Sequence, residues 1–125
     1  MENVEENILL KKKEVIDRLA VPTMEGYTFI PLNVIYFLKA SGNYTEIMHI
    51  DGNVMKKTVA SKRLGYFDDI LAHSPFLRIH DSYMVNLTKA IKYFKGKDGS
   101  IQLSNGQYLP VSRNKKELLF TVFGI

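Results

Sequence analysis

Eleven residues, FLRIHDSYMVN from Phe76 to Asn86, set Arg78, His80, Asp81, Ser82, Tyr83 and Asn86 between apolar neighbours. Three kinds of chemistry can use such a set. His80, Asp81 and Ser82 are the residue types of a nucleophilic hydrolase, yet triad members are assembled in space from separate segments, and consecutive strand residues point to opposite faces. The run does not read as catalytic. Metal ligation by His49, His73 and His80 is no better supported, because their spacings fit no compact ligand pattern and no cysteine or paired carboxylate accompanies them. The third reading is a polar strand edge that offers hydrogen bonds to phosphates and bases, with a structural hydrogen-bonding role as the alternative for His80. In extended geometry Phe76, Arg78, His80 and Ser82 share one face and Leu77, Ile79 and Asp81 the other, which predicts a half-buried strand with a polar tip.

Charge points the same way. Seventeen Lys and Arg against thirteen Asp and Glu give +4, an excess that by itself separates few functions. Its placement says more. From Arg78 to Lys116 stand eight bases (Arg78, Lys89, Lys92, Lys95, Lys97, Arg113, Lys115 and Lys116) and two acids (Asp81 and Asp98), a local +6 that leaves the remainder at −2. A polyanion would favour this C-terminal half, the competing reading being an ordinary solvated lysine-rich face. The lack of cysteine removes disulfides, thiolate metal sites and cysteine nucleophiles and is compatible with a reducing compartment. Ile8, Leu9 and Leu10 are too short a run for a signal peptide, and no segment approaches the roughly 20 apolar residues of a membrane span. A cytoplasmic protein with no membrane partner is expected.

The elements that must position these residues are short. At 125 residues the chain suffices for one domain around one core. Residues 2–20 lack Gly and Pro and bring Val4, Ile8, Val15, Ile16 and Leu19 near one face, with acids early and bases late. This predicts an amphipathic helix within an N-terminal extension over residues 1–25. It would dock on the domain, pair with a second copy or meet a partner, docking being favoured. From residue 26 onward the texture is mostly β: runs at Tyr27–Pro31, Val34–Lys39, Tyr44–Ile50, Val54–Val59, Phe76–Ile79, Ala90–Phe94, Ser100–Leu103 and Tyr108–Val111. Asp51-Gly52, Asp98-Gly99 and Asn105-Gly106 suit the positive φ of tight turns, so at least three adjacent pairs should be antiparallel hairpins. One helix is predicted after Ser61 as N-cap, with Leu64, Phe67, Ile70 and Leu71 inward, stopped by Ser74-Pro75. A last short helix or turn over Arg113–Phe123 would turn Leu118, Leu119 and Val122 inward.

FLRIHDSYMVNL followed by NGQYLPVSR resembles the signature of the LytTR family of bacterial DNA-binding domains. The resemblance runs from Ile30 to about Phe123 and takes in Ile35-Tyr36-Phe37, Ser41-Gly42-Asn43-Tyr44-Thr45, Arg78-Ile79-His80, Val85-Asn86 and Leu109-Pro110-Val111-Ser112-Arg113. Several motifs in the right order make it specific. It implies a mainly β LytTR-type domain over residues 26–125, of about ten mostly antiparallel strands with a small helix, whose loops enter successive major grooves. The implied activity is sequence-specific binding of double-stranded DNA in bacterial transcription regulation, with no enzymatic reaction and no cofactor.

Position by position, the resemblance implies that Arg113 reads a base from the major groove. Asn43 and Tyr44 match a first contacting loop, for which an ordinary turn is the alternative. His80 and Asp81 match a second. Relatives often carry Asn, Arg or Lys where Asp81 stands, and a carboxylate repels phosphate while it accepts from cytosine N4. Ser112, Asn114 and Lys115 are candidate phosphate or structural contacts, and Asn86 a buried turn-former. Relatives commonly bind direct repeats, so two copies on one DNA, with a homodimer there, are expected. Most relatives carry a receiver domain, for which the N-terminal extension has no room, so control by phosphorylation within this polypeptide is not expected. The alternative function is a protein-interaction module or anti-activator with the same fold and weak DNA affinity.

Overall fold

Two glycine-led turns set the register of the central sheet. In Ser41-Gly42-Asn43-Tyr44 and Asp51-Gly52-Asn53-Val54 the glycine holds φ of 60° and 64°, and neither asparagine has positive φ. This is the pattern of a type II′ turn, whose twist matches that of the strands it joins. A computed structural model describes residues 17–125. Its strands are β1 (Arg18–Thr23), β2 (Gly26–Pro31), β3 (Ile35–Ser41), β4 (Tyr44–Asp51), β5 (Val54–Ala60), β6 (Phe76–His80), β7 (Tyr83–Asn86), β8 (Ala90–Phe94), β9 (Ser100–Leu103) and β10 (Tyr108–Pro110). Two short helices, α1 (Tyr66–Ile70) and α2 (Lys116–Val122), complete the fold. Every strand pairing is antiparallel: a β1-β2 hairpin, a five-stranded sheet in the order β5-β4-β3-β7-β6, and a three-stranded sheet β10-β9-β8.

The five-stranded sheet is covered on both faces. On one, Leu38, Ile47, Phe76 and Met84 meet Leu19, Val21 and Ile30 of the β1-β2 hairpin and Leu64, Phe67 and Leu71 around α1. On the other, Phe37, Ile79 and Val85 meet Ile101, Leu103, Leu109 and Val111 of the small sheet region and Leu119 of α2. A register shift between Ile35 and Phe37 marks a bulge, so that the neighbours Tyr36 and Phe37 both join the second core. Asn86 is buried and ties the layers: its amide donates to the carbonyls of Ile35 (2.9 Å) and Leu32 (3.4 Å) and accepts from Thr88 N–H (3.1 Å) and hydroxyl (2.8 Å). It is the turn-former the sequence suggests.

The predicted hairpins form, and four local expectations change. The predicted helix over residues 2–20 lies mostly outside the described residues, and Arg18 to Ala20 belong to β1. There Leu19 and Val21 alternate inward onto Ile30, so burial with period two prevails over the helical pattern. Ser61 caps no helix; its N–H and hydroxyl both bond the Pro22 carbonyl, and α1 starts after Gly65. Ile70 is 51% exposed because so short a helix buries only the Leu64, Phe67 and Leu71 direction. In α2, Leu118 and Val122 face solvent while Leu119 is buried and Phe120 stacks edge-on with Tyr93, so the inward face is rotated from the expected one. Among the described residues no helix is long and apolar enough to cross a membrane.

Candidate functional site

Strand pairing brings two turns to one end of the five-stranded sheet. β3 runs into the Gly42-Asn43 turn, and its Lys39 stands opposite Tyr83, the first residue of β7. The Asp81-Ser82 turn that joins β6 to β7 therefore sits beside the end of β3, fixed by Ala40 N–H donating to the Ser82 carbonyl at 2.9 Å. The two turns are separated by roughly two interstrand spacings, about 10 Å. Asn43 and Tyr44 are both exposed, Tyr44 by 49%. Behind them Thr45 is fully buried and donates its hydroxyl to the Lys62 carbonyl at 2.8 Å, which draws the segment after β5 against the turn. That segment supplies Arg63, whose Nε and Nη2 both donate to Asn43 Oδ1, at 3.1 and 2.6 Å.

The second turn is braced from behind by Arg78. Its Nε donates to the His80 carbonyl (2.9 Å), its Nη2 to the Asp81 carbonyl (2.5 Å), and its Nη1 to both Asp68 carboxylate oxygens (3.0 Å each). Three of its nitrogens are thus spent on structure. A register shift between Arg78 and His80 ends the expected alternation: with Ile79 as the extra residue, His80 turns onto Tyr83, ring centroids 5.7 Å apart. Tyr83 packs on the second core, so His80 does not share the face of Phe76. The His80 Nδ1 accepts from Ser82 N–H at 3.0 Å, so a neutral ring carries its proton on Nε2 as a free donor. Asp81 is exposed, and its carboxylate has no hydrogen-bond or ion-pair partner among the described residues.

The third segment arrives from β10. Ser112 N–H donates to the Ile79 carbonyl at 2.9 Å and its hydroxyl to the same oxygen at 3.3 Å, so the chain enters a helical turn over Arg113–Lys115 beside the end of β6. The Arg113 side chain is 88% exposed, and its nearest partner is Asp98 at 4.0 Å. Asn114 is exposed and accepts the Ser112 hydroxyl on Oδ1 at 2.9 Å, while Lys115 lines a cleft with Asp81, Leu77 and Arg78. Asp98 belongs to the β8-β9 loop, which presents exposed Lys95 and Lys97 and is tied to this segment by Val111 N–H donating to the Gly99 carbonyl. Gly99 holds φ of 89°, and a Cβ there would meet the Tyr93 hydroxyl at 2.4 Å, so only glycine fits this close approach.

The seven candidate DNA contacts, Asn43, Tyr44, His80, Asp81, Arg113, Asn114 and Lys115, lie in or beside three segments that pairing and hydrogen bonds draw to one rim. The three histidines do not gather: His49 lies five positions along β4 from Tyr44, roughly 17 Å at the strand rise, and His73 is an exposed residue after α1. Among the described residues no group of three or more His, Cys, Asp or Glu is placed to hold a metal ion. Sequence reasoning missed Arg63. Its only signal was a Lys-Arg pair following a strand, and nothing local links it to a turn 20 residues earlier.

The profile of the LytTr DNA-binding domain matches residues 25–124. The chain belongs to the LytTR family. No curated protein sequence matches it. A solved LytTr DNA-binding domain from Bacillus cereus superposes with a TM-score of 0.69 at 19% identity, covering 88% of this chain and 99% of that one. The LytTR domain here thus keeps the family fold across a large divergence in sequence. The family is one of DNA-binding domains rather than enzymes, and its partner is double-stranded DNA.

Proposed function

We propose that this LytTR domain binds double-stranded DNA sequence-specifically to regulate transcription in the bacterial cytoplasm, with its three-segment rim facing the major groove. The observation that carries this reading is the anchoring of Ser112 on Ile79, which brings exposed Arg113 to the same rim as the two hairpin turns. The turns span about 10 Å, against a major groove about 12 Å wide. Arg113 donates to guanine O6 and N7, the geometry its planar fork suits. Asn43 and Tyr44 make the contacts of the first turn, and His80 donates from Nε2 at the second. Asp81 accepts from cytosine N4 or keeps phosphate away. Asn114 and Lys115 hold phosphate, and the remaining lysines between residues 78 and 116 supply the salt-dependent part of the affinity. Two copies occupy direct repeats, as a homodimer on the DNA.

Titration with random-sequence duplex at low and moderate salt, followed by selection from a random pool, tests the reading. Binding that weakens with salt and an enriched motif are expected. Absence of both would favour a protein-interaction module, the reading that the exposed carboxylate of Asp81 supports.

A further inference from the structure

Asparagine commonly reads adenine because its amide offers an acceptor to the N6 amino group and a donor to N7. Asn43 is not free to do so. Its Oδ1 already accepts two hydrogen bonds from Arg63, through Nε at 3.1 Å and Nη2 at 2.6 Å. A guanidinium offers only donors, so chemistry fixes the orientation of the amide: Oδ1 faces Arg63, and the Nδ2 amino group is left for an external partner. The pairing is built into the fold. Gly42 holds φ of 60° in the two-residue turn, and the buried Thr45 hydroxyl grips the Lys62 carbonyl, one residue before Arg63. Both side chains are exposed, so their mutual attraction contributes little to stability. The arrangement matters for what it presents.

We infer that Asn43 and Arg63 form a single donor-only reading unit at the β3-β4 turn, which selects guanine and rejects adenine at the base pair beneath it. The unit exposes the Asn43 Nδ2 hydrogens and the Arg63 Nη1 hydrogens and no free acceptor. Guanine is the base whose major-groove edge carries two acceptors, N7 and O6. Adenine and cytosine each turn an amino donor toward the groove, which would oppose the hydrogens of the unit, and thymine offers one acceptor beside a methyl group. Arg63 thereby acts as a specificity-determining residue, both through its own donors and by removing the acceptor that would let Asn43 recognise adenine. This inference rests on the DNA-binding reading above and adds the chemistry of the base under one turn.

Selection from a random duplex pool with the full chain, run in parallel for wild type, Asn43→Ala and Arg63→Met, tests it. Thermal melting of each variant verifies the fold. The expected result is a base pair at which wild type enriches guanine by about tenfold, the order of discrimination of a bidentate contact. Asn43→Ala loses that preference. Arg63→Met, which frees Oδ1, replaces guanine with adenine at the same pair. Adenine in the wild-type motif at the pair sensitive to Asn43→Ala overturns the inference, as does guanine retained by Arg63→Met. Equal weakening on all sequences in both variants also overturns it, since that marks a phosphate anchor. A motif that ignores both substitutions removes this inference and leaves the DNA-binding reading standing, whereas no motif and no salt-dependent binding by wild type removes both.

Discussion

Replacing Arg113 with alanine should separate binding from stability more cleanly than any other change. In the free protein its side chain is 88% exposed, and its nearest partner, Asp98, is itself 75% exposed at 4.0 Å. An ion pair so open to water contributes next to nothing, so the urea midpoint should stay within error of wild type. On DNA the same guanidinium would leave water and donate two parallel hydrogen bonds to guanine, worth about 1–3 kcal/mol of discrimination. That converts to a Kd raised by about 5- to 150-fold on the selected site, with little change on a site already mutated at the contacted pair. Arg113→Lys should retain part of the affinity and lose the selectivity, because an ammonium cannot match two acceptors in a plane. Fluorescence anisotropy against the selected duplex and its single-pair variants at fixed salt measures both. Unchanged affinity would refute the reasoning. So would a loss equal on every duplex with a salt slope reduced by about one, which identifies a phosphate contact instead.

Three further outcomes follow from the geometry. Asp81→Asn should tighten DNA binding several-fold in the same assay without loss of stability, because Arg78 holds the Asp81 carbonyl and leaves the carboxylate unused. Weaker binding by this variant would assign the carboxylate a cytosine contact. Asn86→Ala should lower unfolding free energy by about 3 kcal/mol in urea titration, since the buried Ile35 carbonyl loses its donor and the Thr88 N–H and hydroxyl lose their acceptor. Burial, assisted by Lys56 and opposed by Asp51, holds the His49 imidazole below its ordinary range. The unfolded chain then binds this proton more readily, so stability is full above about pH 6.5 and falls as pH drops through that value. His49→Gln should flatten the decline of the urea midpoint between pH 7.5 and 5.5, windows chosen to straddle about 6.5, the ordinary imidazole value. Asp51, held low by its hydrogen bond and charge contact with Lys56, adds a separate loss only below the ordinary carboxylate range.

Most strands and turns were legible because their signals are local. Alternating apolar residues and glycine-led turns reflect the chemistry of two to eight neighbouring residues, and tertiary packing agreed with them. What escaped was set at a distance. β1 looked helical because Leu19 also fits a three-to-four spacing, and only Ile30 and the α1 core show that Val21 is its partner in burial. The bulges at Tyr36 and Ile79 have no sequence mark, and one of them decides the face on which His80 emerges. At the rim, the resemblance named the residues of the turns and of the Arg113 segment. It did not name Arg63, because the contact with Asn43 is created by β4-β5 pairing and the Thr45 hydroxyl rather than by any motif.

Arg78 and Arg113 make the general point about such a rim. Both are arginines, both stand within three residues of a strand end, and charge counting weighs them equally. Their surroundings assign them opposite work. Arg78 is 24% exposed in its side chain and bonds two backbone carbonyls and one carboxylate, so each of its three nitrogens is engaged before any ligand arrives. It stiffens the Asp81-Ser82 turn, and a turn already ordered loses little conformational entropy when it is bound. Arg113 donates no hydrogen bond among the described residues, its nearest partner being Asp98 at 4.0 Å, and it depends on the Ser112-Ile79 bonds to reach the rim. The proposed recognition would use both kinds of arginine. On the proposed reading, Arg78 holds the Asp81-Ser82 turn still, and the binding energy of Arg113 and of the Asn43-Arg63 pair would then go into contact with bases rather than into ordering that turn.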